Sequence, residues 1–219
     1  MHNTVQNLTY IEEQIKSKIK DLHYSRIPKI IAVSKTFAID KILPLIDYGH
    51  IDYGENKVQE AVDKWTSIKA ENENIKLHFI GKLQTNKVKF AVKIFDYIHS
   101  VDTEKLAIKI ASEQEKQDKK IKIFIQINIG NEEQKSGVKI DQVLNFYNLC
   151  KELNLNILGM MCIPPKEDTS KNYFAEMNKI NKELHLTELS MGMSEDYLTA
   201  VQNNSTFLRI GSKIFGQRD

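Results

Sequence analysis

Several kinds of protein are excluded by what this chain has little of. Its 219 residues include only 2 cysteines, Cys150 and Cys162, which give neither a disulfide framework nor metal-ligand spacing. Cys150 falls in a helical pattern and Cys162 in an apolar run, so both read as small core residues. With 4 prolines and 9 glycines there is no linker and no low-complexity tract, and a single domain over residues 1–219 is expected. An excess of one charge is also missing: 31 basic residues face 29 acidic ones, for a net charge of +2. A nucleic-acid footprint needs basic residues gathered on one face, whereas the lysines here are interspersed with glutamates along helical segments, as on solvated faces. No apolar run approaches the ~20 residues of a membrane span. The start, "MHNTVQNLTYIEEQIKSKIK", is polar and periodic, unlike a secretory signal. The expectation is a cytoplasmic protein with neither membrane nor nucleic acid as partner, and no metal site.

What is present is an ordinary globular balance, 41% hydrophobic and 27% charged, enough for a sizeable core. Val5, Leu8, Ile11, Ile15, Ile19 and Leu22 recur at three- and four-residue intervals, predicting a helix within residues 1–26 that packs one face on the rest. After it, short apolar runs alternate with helical patterns to the end of the chain. Strands are expected at "KIIAVSK" (Lys29–Lys35), "HIDYGE" (His50–Glu55), "KLHFIG" (Lys76–Gly81), "YIHSVD" (Tyr97–Asp102), "KIFIQINIG" (Lys122–Gly130), "NILGMMCI" (Asn156–Ile163), "ELSMGM" (Glu188–Met193) and "TFLRIG" (Thr206–Gly211). Helices fit the segments between them, one of them capped by Asp102. Strands alternating with single helices imply parallel pairing through crossovers, and eight such units close into a (β/α)₈ barrel with an extra N-terminal helix. An open doubly wound sheet would ordinarily carry a glycine-rich loop after its first strand, and "AVSKTF" has no glycine.

In such a barrel, function gathers at the carboxyl ends of the strands, and the unusual residues fall there. Lysine is rarely buried without a partner, yet Lys35 follows a continuous apolar strand. An amine at the rim of an apolar barrel is desolvated, which makes its neutral, nucleophilic form accessible. "SMGMS" (Ser190–Ser194) and "RIGS" (Arg209–Ser212) offer hydroxyls and glycines at the last two strand-to-helix junctions, the usual phosphate position of this fold. Arg209 lies inside an apolar strand end, aimed either at a carboxylate or at a ligand. A rim lysine, an anion pocket and an arginine suit a phosphorylated aldehyde. Two candidates satisfy that description, pyridoxal 5′-phosphate and the substrate of a phospho-sugar aldolase.

Other residues read more plainly. His78 suits a hydrogen-bonded core histidine, and Trp65 suits packing. Asp52 and Glu55 could form a carboxylate pair, but no spacing supplies glycosidase-type partners. "DTSKNYF" (Asp168–Phe174) reads as a capped helix start. Met160, Met161, Met191 and Met193 read as core filler by default, while their clustering at two strand ends also suits one face of a flat ligand.

The motifs "IAVSKT", "GENKVQEA", "HFIGKLQTNK", "SVDTEKLA", "GMMCIPP", "LSMGMSEDYLTAV" and "RIGSKIFGQR" occur in this order from about Lys29 to Arg218. In this they resemble the pyridoxal phosphate homeostasis protein family. The resemblance implies a single-domain barrel like the N-terminal domain of alanine racemase, with pyridoxal phosphate held as a Schiff base (aldimine) on Lys35. It implies that Arg209 approaches the pyridine nitrogen, that Gly211, Ser212 and Ser190 hold the phosphate with Met191 beside them, and that Asn56 lies near the ring or its hydroxyl. An arginine beside the pyridine nitrogen disfavours its protonation and weakens the electron sink. The implied role is buffering or delivery of the cofactor, with indirect effects on amino-acid and keto-acid pools. No catalytic residue is expected, and apo-enzymes are candidate recipients. The chain ends soon after the eighth strand, so no second domain with an opposing base is expected, and an uncovered barrel mouth suits a monomer. An amino-acid racemase or another Schiff-base enzyme is the alternative. Lys57 and Lys82 depart from the family pattern and would add positive potential near the mouth.

Overall fold

A computed structural model describes residues 2–165 and 172–217. The first helix, α1 (Asn3–Asp21), starts after His2, whose ring accepts from the Thr4 amide, and buries Val5, Leu8, Ile11, Ile15 and Ile19. These residues recur on one helical face. Eight strands follow: β1 (Lys29–Val33), β2 (Asp52–Glu55), β3 (Lys76–Phe79), β4 (Tyr97–Val101), β5 (Lys122–Ile127), β6 (Asn156–Cys162), β7 (Glu188–Ser190) and β8 (Phe207–Ile210). All pair in parallel in sequence order, and β8 closes on β1 with Ile31 opposite Arg209 and Ala32 opposite Ile210. The connecting helices are α2 (Ile39–Asp47), α3 (Val58–Glu71), α4 (Val88–Ile94), α5 (Glu104–Lys116), α6 (Val143–Glu152), α7 (Tyr173–Glu183) and α8 (Tyr197–Gln202), and a short α9 (Ser212–Phe215) follows β8. Helix α1 packs against α2, α8 and α9, and Asn7 donates to the Ile214 carbonyl. Among the described residues, no helix is long and apolar enough to cross a membrane.

Strand alternation divides the core in two. One set of side chains meets the helices. The other fills the barrel, where Ile31, Tyr97, Phe124, Met161 and Phe207 form a separate buried cluster, each contributing roughly 1.5–3 kcal/mol on burial.

The strands end earlier than their apolar runs suggest. Strand β1 stops at Val33, since Lys35 and Thr36 turn away with Thr36 at φ +68°, and β7 stops at Ser190, leaving the rest of "SMGMS" in the loop. The motif residues thus stand on the rim instead of within strands. Asp102 does not cap α5; Thr103 holds that position, and the Asp102 carboxylate accepts from the Gly137 amide in the loop after β5. Helix α7 is capped by Asn172, which accepts from the Ala175 amide. The rest of the expected start, Asp168 to Lys171, lies outside the described residues.

Candidate functional site

The turn that carries Lys35 is fixed from the helical layer. Glu55, the last residue of β2, is fully buried. Its Oε1 accepts from Ser34 Oγ at 2.8 Å, from Trp65 Nε1 at 3.0 Å and from Lys64 Nζ at 3.1 Å. Lys64 Nζ also donates to the Ser34 carbonyl at 3.0 Å and to Glu60 at 3.0 Å, and Glu60 accepts from the Thr36 amide at 2.6 Å. The residues on either side of Lys35 are therefore both tied to α3. Helical spacing makes this possible, because Glu60 and Lys64 lie one turn apart on one face. Burial alone would push the Glu60 carboxyl up, but the Thr36 amide and Lys64 outweigh it and hold the carboxyl below its ordinary value. Lys35 itself is half-buried.

Asn56 follows Glu55 on the rim. Its Oδ1 is buried without a hydrogen-bond partner among the described residues. The loop after β3 presses on it: a Cβ on Gly81 would lie 2.4 Å from the Asn56 carbonyl oxygen and 2.8 Å from its Cα. Only glycine allows that approach.

On the other side of β1 stands β8. Arg209 is buried, and its Nη1 donates to Ser190 Oγ at 2.7 Å while Nη2 donates to the Cys162 carbonyl at 2.8 Å. Burial lowers the guanidinium from its ordinary value and pushes the Cys162 thiol up to about 12, so that sulfur is an inert neighbour. Gly211, just past β8, packs on Val33 at the end of β1. The loop after β7 turns at Gly192, φ +93°, where a Cβ would lie 2.5 Å from the Ala200 Cβ. It is held by the Asp196 carboxylate, which accepts from the Met193 amide at 2.6 Å. Ser194 Oγ accepts from the Lys213 amide at 3.4 Å and so joins the loops after β7 and β8. Two cavities, of about 450 and 250 Å³, open at the opposite, amino-terminal end of the barrel.

Lys35, Asn56, Gly211 and Ser212 thus stand at the carboxyl rim, with Ser212 exposed. Ser190, Met191 and Arg209 lie below it, all buried. The Ser190 hydroxyl points into the barrel as the end of β7, where Arg209 and His99 take up its hydrogen bonds; Ser194 is the hydroxyl of "SMGMS" that faces the loop after β8. Lys57 and Lys82 are exposed. Asp52 and Glu55 do not meet: an offset of three puts them on opposite faces of β2, with Asp52 on His78 inside the barrel and Glu55 on α3 outside. His78 is a fully buried, hydrogen-bonded core residue, as expected. The expectations for Lys35 did not extend to Glu55, Glu60 and Lys64, although the pairing of Glu60 with Lys64 is written in their four-residue spacing. His99 was not singled out either, since "YIHSV" reads as a plain buried strand. Among the described residues no group of three or more His, Cys, Asp or Glu could hold a metal ion.

What this rim can do chemically is offer an amine on a fixed turn, an orphaned acceptor at Asn56, a buried guanidinium and two interlocked loops with hydroxyls. Residues 7–219 match the family described as "Alanine racemase, N-terminal domain". The chain is 34% identical over 226 residues to the "Pyridoxal phosphate homeostasis protein" of Pasteurella multocida, covering 98% of this chain and 97% of that one. It is 32% identical to PipY of Synechococcus elongatus, solved with PLP bound, at a TM-score of 0.78, covering 92% of this chain and 100% of that one. A Clostridium difficile alanine racemase, 16% identical, superposes at a TM-score of 0.73 on 99% of this chain and 57% of its own, a likeness of fold alone.

Proposed function

The chain belongs to the pyridoxal phosphate homeostasis protein family, and from that premise we propose that it binds pyridoxal 5′-phosphate at the carboxyl rim through a Schiff base on Lys35 and buffers or delivers the cofactor in the cytoplasm, without turnover of its own. The observation that carries this reading is that the clamped Lys35 turn and Arg209 belong to paired strands, β1 and β8, and so reach the same sector of the rim. The residues suit the group. Lys35 supplies the amine for the aldehyde, and Arg209 supplies a donor for the pyridine end. The loops of Ser194 and of Gly211–Ser212 offer hydroxyl and backbone donors to the phosphate, with Met191 packed beneath them. A ligand hydroxyl would satisfy the orphaned Oδ1 of Asn56. Ser190 contributes through Arg209. Bound at such a site, the cofactor supplies an electrophilic aldehyde and a conjugated ring, but a guanidinium at its nitrogen keeps the ring a weak electron sink. That supports holding and exchange over carbanion chemistry.

The test is optical. Purified protein loaded with pyridoxal phosphate is expected to show the visible band of an internal Schiff base, and borohydride should fix the cofactor's mass on Lys35. Lys35→Ala should show neither. A wild-type spectrum that does not change on adding pyridoxal phosphate refutes the reading. Rapid exchange of amino-acid Cα protons in deuterated water at enzyme-like rates would favour the racemase alternative.

A further inference from the structure

A second polar system runs along the barrel axis. Asp52 Oδ1 lies 2.9 Å from His78 Nε2, and His78 Nδ1 lies 2.9 Å from His99 Nε2. His99 Nδ1 lies 2.8 Å from Ser190 Oγ, which accepts from Arg209 Nη1 at 2.7 Å. Five strands contribute one member each, and the chain runs from the first residue of β2, at the base, to Arg209 near the rim. Both imidazoles are fully buried and lie flat against aromatic rings, His78 on Tyr97 at 4.1 Å and 13°, His99 on Phe124 at 4.3 Å and 15°. The surrounding interior is otherwise the apolar cluster of Ile31, Phe124, Met161 and Phe207.

The ends dictate the direction. A guanidinium only donates and a carboxylate only accepts. Arg209 donates to Ser190, and with both imidazoles neutral the N–H that the Asp52 carboxylate requires on His78 Nε2 leaves the serine proton pointing to His99 Nδ1. His99 then carries its proton on Nε2 and gives it to His78 Nδ1, and His78 carries its proton on Nε2 and gives it to Asp52. With both rings neutral each has one allowed tautomer, and a proton added to His78 Nδ1 would then face the N–H of His99. Burial acts the same way, holding both imidazoles below their ordinary value, His99 well below it. The positive charge sits at Arg209 and the negative charge at Asp52.

We propose that Asp52, His78, His99 and Ser190 are positioning residues for Arg209, forming a one-directional hydrogen-bond chain that fixes the guanidinium toward the cofactor from the opposite end of the barrel. This rests on the reading that Arg209 meets the pyridine end of pyridoxal phosphate. The chain keeps the guanidinium from swinging toward the ring face or the Cys162 carbonyl alone, and reversing any one bond requires reversing every other. Asp52 lines the cavity of about 250 Å³ at the base, together with Glu12, Lys29 and His50, so its substitution touches neither the rim nor the cofactor.

The experiment compares pyridoxal-phosphate-loaded wild type, Asp52→Asn, His99→Phe and, as a control in the same cavity, Glu12→Gln. The proposal expects cofactor dissociation about tenfold faster in Asp52→Asn and His99→Phe, the factor that corresponds to one charge-assisted hydrogen bond. It also expects a shifted visible band in both variants and wild-type behaviour in Glu12→Gln. Nitrogen-15 spectra of the wild-type apoprotein should show His78 and His99 neutral with the proton on Nε2. A Nδ1–H tautomer or an imidazolium at either ring overturns the proposal. So does an unchanged dissociation rate and band in Asp52→Asn, where a role confined to folding would lower only the melting temperature. If wild type itself fails to form the Lys35 adduct, the cofactor reading falls, while the tautomer measurement still decides whether the chain exists.

Discussion

Replacing Lys64 with methionine tests whether α3 holds the Lys35 turn. Methionine keeps the length and apolar stem of the side chain and removes the charge. The Lys64 side chain is 11% exposed and Glu55 is fully buried, so the substitution strands a carboxylate out of water. Removing one partner of a buried ion pair costs about 3–5 kcal/mol. Glu55 keeps two neutral donors, Ser34 Oγ and Trp65 Nε1, which places the expected loss near the lower end, about 3 kcal/mol. For a chain of this size that corresponds to a fall in melting temperature of roughly 6–12 °C, read by differential scanning calorimetry. Glu55→Gln alongside Lys64→Met removes both charges while leaving an amide oxygen for Ser34 and Trp65, and should restore at least half of the loss. Amide exchange supplies the local readout: Thr36, whose N–H donates to Glu60, should exchange faster in the single variant. A melting temperature within about 2 °C of wild type, or a double variant no more stable than the single, refutes the clamp.

Three further outcomes follow from the same geometry. His78, His99 and His50 are held below 6.5 chiefly by burial, so below that pH the unfolded chain binds more protons than the folded one; stability should fall as pH drops through 6.5, by on the order of 1 kcal/mol per group over the first unit, and urea midpoints that stay flat down to about pH 5 contradict it. Asp52 and Glu60, both depressed despite burial because His78 or Thr36 and Lys64 hold them charged, should add a second loss below their unfolded values of 3.8 and 4.5. Gly192→Ala combines φ +93° with a Cβ 2.5 Å from Ala200, whereas Gly216→Ala has φ +91° and open space; thermal melts should show the first costing about 1–3 kcal/mol more than the second, and equal losses would show that the contact relaxes freely. Cys150 and Cys162, each pushed up to about 12 by burial, should resist iodoacetamide in the native protein and react only in denaturant; rapid native labelling contradicts the core assignment.

The barrel was legible because its signal is periodic and repeated: eight apolar runs each separated by a helical pattern leave few topologies. The placement of Lys35 and Arg209 near the rim was legible because a charged residue at the end of an apolar run is unusual. What stayed hidden depends on pairs distant in sequence. Nothing in "YIHSV" says that His99 meets His78, because that contact arises from the register and inward direction of two neighbouring strands. Ser190 and Ser194 look interchangeable in "SMGMS", and only the end of β7 decides that the first points into the barrel and the second to the loop. Strand ends were overdrawn because buried apolar residues continue past them: Met191, just after the end of β7, is as buried as the strand. Asp102 read as a cap because a carboxylate before a helix usually is one; the Gly137 amide competes for it across the rim and wins.

Strand β2 shows how the two polar systems fit into one small domain. Alternation gives Asp52 to the interior and Glu55 to the helical layer, so four residues begin one hydrogen-bonded chain and end in another. The outer one acts on the turn of Lys35 and the inner one on Arg209, and they share no member. A ligand spanning Lys35 and Arg209 therefore meets two ends that folding has already ordered, each by contacts the ligand does not supply. Ordering costs are then small on binding, and on the proposed reading affinity would rest on the Schiff base and the anion loops. Such an arrangement favours a site whose occupancy follows the free cofactor concentration, which is what buffering requires.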